Sequence, residues 1–263
     1  MGVKFYPQTQ GNLFIHNRLL LFFMLVESKI LIEAFQDVMK KSEETCGKEL
    51  EEIRELINIG RFFRSIVEKN NQSSLVFWCF MESIRISGQT LYLSYCGLYR
   101  NAFDNIRHLL ESIVQAVYID KNHPSSDLPT KLEILKEIED KKEYHARRLI
   151  EDRIPFKNLD CKGLDCKGLL NKEYSELSQI VHPSHEKIIV TVKDVLSENK
   201  WIPARIDCRE ISRILDSMRR MYDIFLFLVV VNFPECKTSL RKDSKLVATI
   251  KKHNLRLLER AIT

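Results

Sequence analysis

The segment Leu75–Cys96, LVFWCFMESIRISGQTLYLSYC, most constrains what this chain can become. It is apolar on nearly all sides. Such a stretch reads as a helix at the centre of a bundle, where every face meets another element. The rest of the chain agrees. Only 8 Gly and 7 Pro occur in 263 residues, which implies long elements with few turns. An all-α helical bundle follows.

The remaining punctuation divides the chain. A first helix is expected over about 12–41, with a break at Ser42–Gly47, and a second over 48–69. The polar run Asn70–Ser74 supplies an N-cap for the central helix. Gly97 separates it from a helix over 98–121, which His123-Pro124 ends. Asp127 and Pro129 open a charged helix to about Arg153. Residues 154–170 are the least helical and contain a duplication, LDCKG-LDCKG (159–168). A short helix from about Leu169 ends at Val181, before Pro183. Asp207 and Glu210 form a capping box that starts a helix to Phe233. A last amphipathic, basic helix is expected over 238–262, and five β-branched-rich residues, 188–192, could form an isolated strand. We divide the chain into an N-terminal helical extension, 1–70, and a bundle, 71–263.

Charge and cysteines bound the setting. Lys plus Arg is 41 against 36 Asp plus Glu, a net +5 that permits a polyanion without demanding one. Seven cysteines, an odd number set largely in apolar helical runs, read as reduced thiols and a cytoplasmic protein. The apolar runs 19–26 and 224–231 are each about half the ~20 residues a bilayer requires, so no membrane association is expected. The N-terminus has no signal-peptide pattern. Cys161 and Cys166 lack a second pair of zinc ligands, and neither a metal nor a cofactor is expected.

Two polar places stand out. Arg107 and Glu111 lie four residues apart, hence on one face of a helix whose other residues read as core. They are either a solvated pair or a partly buried polar site able to hold a phosphate oxygen. His182 follows a short helix. It either caps that helix end or serves as a general acid or base near neutral pH. Ser178 precedes it by one turn. Basic residues including Arg213, Arg219, Arg220, Lys252 and Arg256 could track a phosphate backbone or simply solvate terminal helices.

Taken together, LYRNAFDNIRHLLESIVQAVYI and the later YSELSQIVHPS resemble the HEPN superfamily of helical bundles over roughly residues 75–195. The resemblance implies a metal-independent endoribonuclease in defence or toxin–antitoxin systems, working as a homodimer. The family motif places an Arg four to six residues before a His. Tyr174, Ser178, Val181 and His182 match one form of it, but Leu177 stands where the Arg belongs. The resemblance then implies His182 as general base on a ribose 2′-hydroxyl, Arg107 supplying the missing guanidinium, and Glu111 and Ser178 orienting them. Two other functions remain open: a non-catalytic interaction or dimerisation module with a protein partner, and a bundle that binds a nucleotide or small ligand.

Overall fold

The computed structural model describes residues 32–33, 36–61, 73–140, 166–181, 206–232 and 235–262. The expected strand 188–192, the apolar run 19–26 and the LDCKG duplication up to Asp165 lie outside them. The described residues form nine helices and no strand. They are α1 (36–61), α2 (Leu75–Tyr95), α3 (Tyr99–Asn122), α4 (Leu128–Asp140) and α5 (Cys166–Val181). Then follow α6 (Cys208–Asn232), α7 (Glu235–Lys242), α8 (Ser244–Lys252) and α9 (Arg256–Ile262).

The local signals for α2 and α3 are visible in the coordinates. Ser74 Oγ accepts from Phe77 N–H at 3.3 Å, the expected N-cap. Gly97 sits at φ 70°, left-handed backbone that a side chain would strain, and lets Leu98 N–H reach back to Leu93 O at 2.8 Å. That turn folds α3 against α2. The α3 core stripe, from Ala102 through Phe103, Ile106, Leu110, Val114 and Val117, is no more than 1% exposed. Across it lies α6, whose run Ile224–Val230 is buried throughout, as expected for a helix enclosed in protein. Each such large side chain contributes about 1.5–3 kcal/mol relative to exposure. Among the described residues no helix is long and apolar enough to cross a membrane.

The central position falls to α3 and α6, and the expectation for α2 is corrected. Its inner residues Val76, Phe80, Ser83, Ile86, Ser87 and Thr90 are buried, but Trp78 and Tyr92 are 45% and 57% exposed. Hydrophobic composition alone does not distinguish an enclosed helix from one with an outward aromatic.

Two further expectations are corrected. The break at Ser42–Gly47 does not occur: α1 runs through it. Ser42 Oγ donates to Tyr95 O at 3.0 Å, and Gly47 is tolerated inside the helix. The single helix expected over 238–262 is three. Asp243 caps α8 by accepting from Leu246 N–H at 2.9 Å. Asn254 adopts φ 55° between α8 and α9. The Asp223 carboxylate of α6 then accepts from Leu257 and Leu258 N–H at 3.0 and 2.9 Å, starting α9 afresh.

The reduced-thiol reading is corrected at one pair. Cys46 of α1 and Cys208 of α6 are joined by a disulfide, with Cα atoms 5.8 Å apart and 162 residues between them in sequence. A cross-link closing so long a loop stabilises the fold by about 5 kcal/mol in the chain-entropy account. Cys79 and Cys96 remain thiols. Burial pushes the Cys79 thiol up to about 12, so it is inert as a nucleophile.

Candidate functional site

The site is built where α3 and α5 lie side by side. Arg100 and Arg107 are seven residues apart on α3, so they project from one face two turns apart. Arg100 reaches the C-terminal end of α5, donating from Nε and Nη2 to Val181 O at 3.0 and 2.7 Å. Arg107 reaches the middle of α5, with its guanidinium carbon 5.5 Å from the centre of the Tyr174 ring. The α3 numbers rise as the α5 numbers fall, so the two helices run antiparallel.

Arg107 and Glu111 form the partly buried site rather than the solvated pair. Nε and Nη2 of Arg107 each lie 3.0 Å from Glu111 Oε1, and the two side chains are 17% and 26% exposed. Nη2 also lies 3.5 Å from the Tyr174 hydroxyl. Burial opposes the charged guanidinium, but Glu111 and Tyr174 outweigh it and hold its pKa above the usual arginine value. Burial and Glu111 likewise push the Tyr174 phenol up. The cluster has one positive and one negative charge, so an incoming phosphate must share the guanidinium with Glu111.

Ser178 lies one turn along α5 from Tyr174, and its Oγ is buried with no hydrogen-bond partner among the described residues. His182 lies outside the described residues. The structure therefore brings Arg107, Glu111 and Tyr174 together, sets Ser178 on the same helix without a bond to them, and fixes the carbonyl of the residue before His182. Tyr174 is the contact that sequence spacing missed as a participant, although it stands in the YSELSQIVHPS segment. Arg100 shares the Arg107 face by its seven-residue spacing, but its carbonyl partner 81 residues away has no local signal.

The other side of α5 faces α6 through a second ion pair. Glu173 is 1% exposed and bonds Arg220, which also reaches Glu176 at 3.3 Å and Ser217 at 3.1 Å. Burial raises the Glu173 pKa, with Arg220 opposing it. An open cleft of about 320 Å³ lies beside this pair, lined by Phe103, Gln179, Ile180, Arg213 and Ser217 among others.

Several of the C-terminal cations are paired with neighbouring side chains. Arg213 pairs with Glu210 at 2.6 Å, Arg219 with Glu52 and with Asp216 at 2.9 Å, and Lys252 with Glu55 at 2.7 Å. Arg256 Nε donates to Asn254 Oδ1 at 3.0 Å. Exposed pairs of this kind solvate and weakly staple helix surfaces.

No protein-family model, no curated protein and no solved structure matches this chain.

Proposed function

We propose that the chain is a HEPN-like RNA-binding protein that cleaves RNA without a metal ion, in a defence or toxin–antitoxin role. The observation that carries this reading is the Arg107–Glu111–Tyr174 cluster on the α3–α5 seam, with Arg100 holding Val181 O immediately before His182. In the proposed reaction His182 takes the proton of a ribose 2′-hydroxyl, and the 2′-oxygen forms a bond to phosphorus. The bond to the 5′-oxygen breaks, and His182 returns the proton to it. A 2′,3′-cyclic phosphate and a 5′-hydroxyl result. Arg107 neutralises charge on the phosphate oxygens. Glu111 orients Arg107, and Ser178 orients His182.

The test is cleavage of mixed RNA in chelator by purified protein. His182→Ala is expected to lower the rate by about 10²–10⁴-fold, and Arg107→Ala to lower it comparably. Parent protein without activity, or a His182→Ala variant that cleaves like the parent, sinks the reading. Cytoplasmic placement belongs to the same proposal. Fractionation of the source cells tests it, and recovery of the chain outside the cytosol overturns it.

A second reading, a non-catalytic interaction module, is favoured by the exposed aromatics of α2 and by the paired-off cations of α6.

A further inference from the structure

A second open cleft, of about 340 Å³, lies between the flank of α6 and the turn that joins α8 to α9. Asp216, Arg219 and Asp223 line it from α6, and Lys252, His253 and Asn254 from the turn. Its volume is at the small end for small-molecule sites, which run to about 300–1,000 Å³. The cations in its wall are already matched. Arg219 pairs with Glu52 and Asp216, and Lys252 with Glu55. Arg220, which borders both this cleft and the one beside α5, pairs with Glu173 and Glu176. An anionic ligand has to compete with these carboxylates, whereas a neutral one does not.

Two polar atoms of the lining residues are buried with no hydrogen-bond partner among the described residues: Nε of Arg219 and Nδ1 of His253. Their roles are opposite. The Arg219 Nε–H can only donate. His253 is 2% exposed, and its Nε2 lies 2.9 Å from Glu55 Oε2. Lys252 holds the Glu55 carboxyl below its ordinary pKa, so it is ionised and only accepts, and Nε2 carries the hydrogen. Burial lowers the His253 pKa against the pull of Glu55, which leaves the ring neutral and Nδ1 a bare acceptor. A buried donor and a buried acceptor left unpaired each cost the desolvation of that group.

Two further functions beside them are unused among the described residues. Asp216 Oδ1 accepts from Arg219 Nη1 at 2.9 Å, and its Oδ2 has no donor. Asn254 Oδ1 accepts from Arg256 Nε at 3.0 Å, and its Nδ2 has no acceptor. The cleft therefore offers two donors and two acceptors. A phosphate or ionised carboxylate only accepts and an ammonium only donates, but a hydroxyl does both.

We propose that this cleft binds a small neutral polyol of the size of one sugar ring. One hydroxyl accepts from Arg219 Nε–H and donates to His253 Nδ1. Neighbouring hydroxyls donate to Asp216 Oδ2 and accept from Asn254 Nδ2. The two buried atoms are covered by protein, so seating the first hydroxyl includes a turn of the Arg219 side chain, which is 30% exposed. The polyol cleft shares no residue with the Arg107–Glu111–Tyr174 cluster, and it is independent of the ribonuclease reading.

Titration calorimetry of the full chain with glucose, ribose and myo-inositol tests it, with inorganic phosphate as the ionic comparison. At least one of the three polyols is expected to bind with a millimolar or tighter Kd, and phosphate not to displace it. Asp216→Ala and Asn254→Gly should each weaken that binding about tenfold. Both positions are exposed, and glycine accepts the φ of 55° at residue 254, so circular dichroism should be unchanged. Arg107→Ala, on the α3–α5 seam, should bind the polyol like the parent. No binding by any of the three polyols overturns the proposal, as does displacement by phosphate. Binding that is indifferent to both cleft substitutions, or that Arg107→Ala abolishes, also overturns it.

Discussion

Two helices in this protein begin on a carboxylate borrowed from another helix, and the two arrangements differ in one respect. Asp120 of α3 accepts from Leu75 and Val76 N–H at 3.1 and 3.0 Å, starting α2 together with Ser74. Asp223 of α6 accepts from Leu257 and Leu258 N–H, starting α9. Asp120 has a buried counter-ion: Lys131 of α4 is 3% exposed, lies 2.8 Å from Oδ1, and also donates to Ser73 O. No lysine or arginine makes an ion pair with Asp223 in the described residues. Burial pushes it up to about 6, against the pull of its backbone donors and of Arg256. A helix N-terminus carries only a partial positive charge, so it offsets part of the desolvation of a full carboxylate. Lys131 supplies the remainder at one site.

The largest expected effect comes from removing that counter-ion. Lys131→Met leaves Asp120 charged and enclosed, and should cost about 3–5 kcal/mol in urea unfolding at neutral pH. A loss below about 1 kcal/mol would show that the pair contributes no more than a surface bridge.

The second effect concerns Asp223 and pH. Its folded pKa lies above its unfolded value of 3.8, so the folded state holds the proton more tightly. The stabilisation is complete below about 3.8 and is lost as pH rises through about 6. This interval corresponds to about 3 kcal/mol. Asp223→Asn keeps an acceptor for α9 and should remove this dependence, which unfolding curves between pH 4 and 7 can follow. An unchanged slope would break the contrast between the two capping sites.

His253, next to the same turn, acts with the opposite sign. It is 2% exposed, and its Nε2 lies 2.9 Å from Glu55 Oε2. Burial lowers its pKa, with Glu55 opposing. Its stabilisation is present above its ordinary value of 6.5 and is lost as pH falls below it. Asp223→Asn should therefore expose a loss of stability on acidification, and adding His253→Gln should reduce that loss. Persistence of the full loss in the double variant would assign it to other groups.

The smallest effect calibrates the scale. Gly88 lies on exposed α2 with nothing within 4 Å of an added Cβ. Gly88→Ala should stabilise the fold by about 1 kcal/mol. Gly60→Ala should do the reverse, because its Cβ would lie 3.2 Å from the Tyr222 ring. That ring is fixed by burial and by a 2.8 Å bond from its hydroxyl to Ser87 Oγ.

Much of the helical architecture was legible from residue spacing and caps. The starts of α2, α3, α4 and α6 fall within a residue or two of Ser74, Gly97, Asp127 and Asp207, because capping and left-handed glycine act over three or four residues. The candidate site was legible to the extent that Arg107 and Glu111 share a face. Their contact with Tyr174, and the hold of Arg100 on Val181, depend on how two helices are placed. A composition-based reading also could not foresee that α2 would turn Trp78 and Tyr92 outward.

What the sequence determined by itself is the helical class, the starts of α2, α3, α4 and α6 and the pairing of neighbours on one helix. All depend on interactions between residues a few positions apart. The tertiary structure alone decided the partners separated by 11 to 162 residues: Lys131 for Asp120, α9 for Asp223, and Cys208 for Cys46. A charged or thiol side chain is compatible with many partners along a chain. Packing of apolar faces selects one by bringing a single complementary group within reach and removing the water that would otherwise satisfy it.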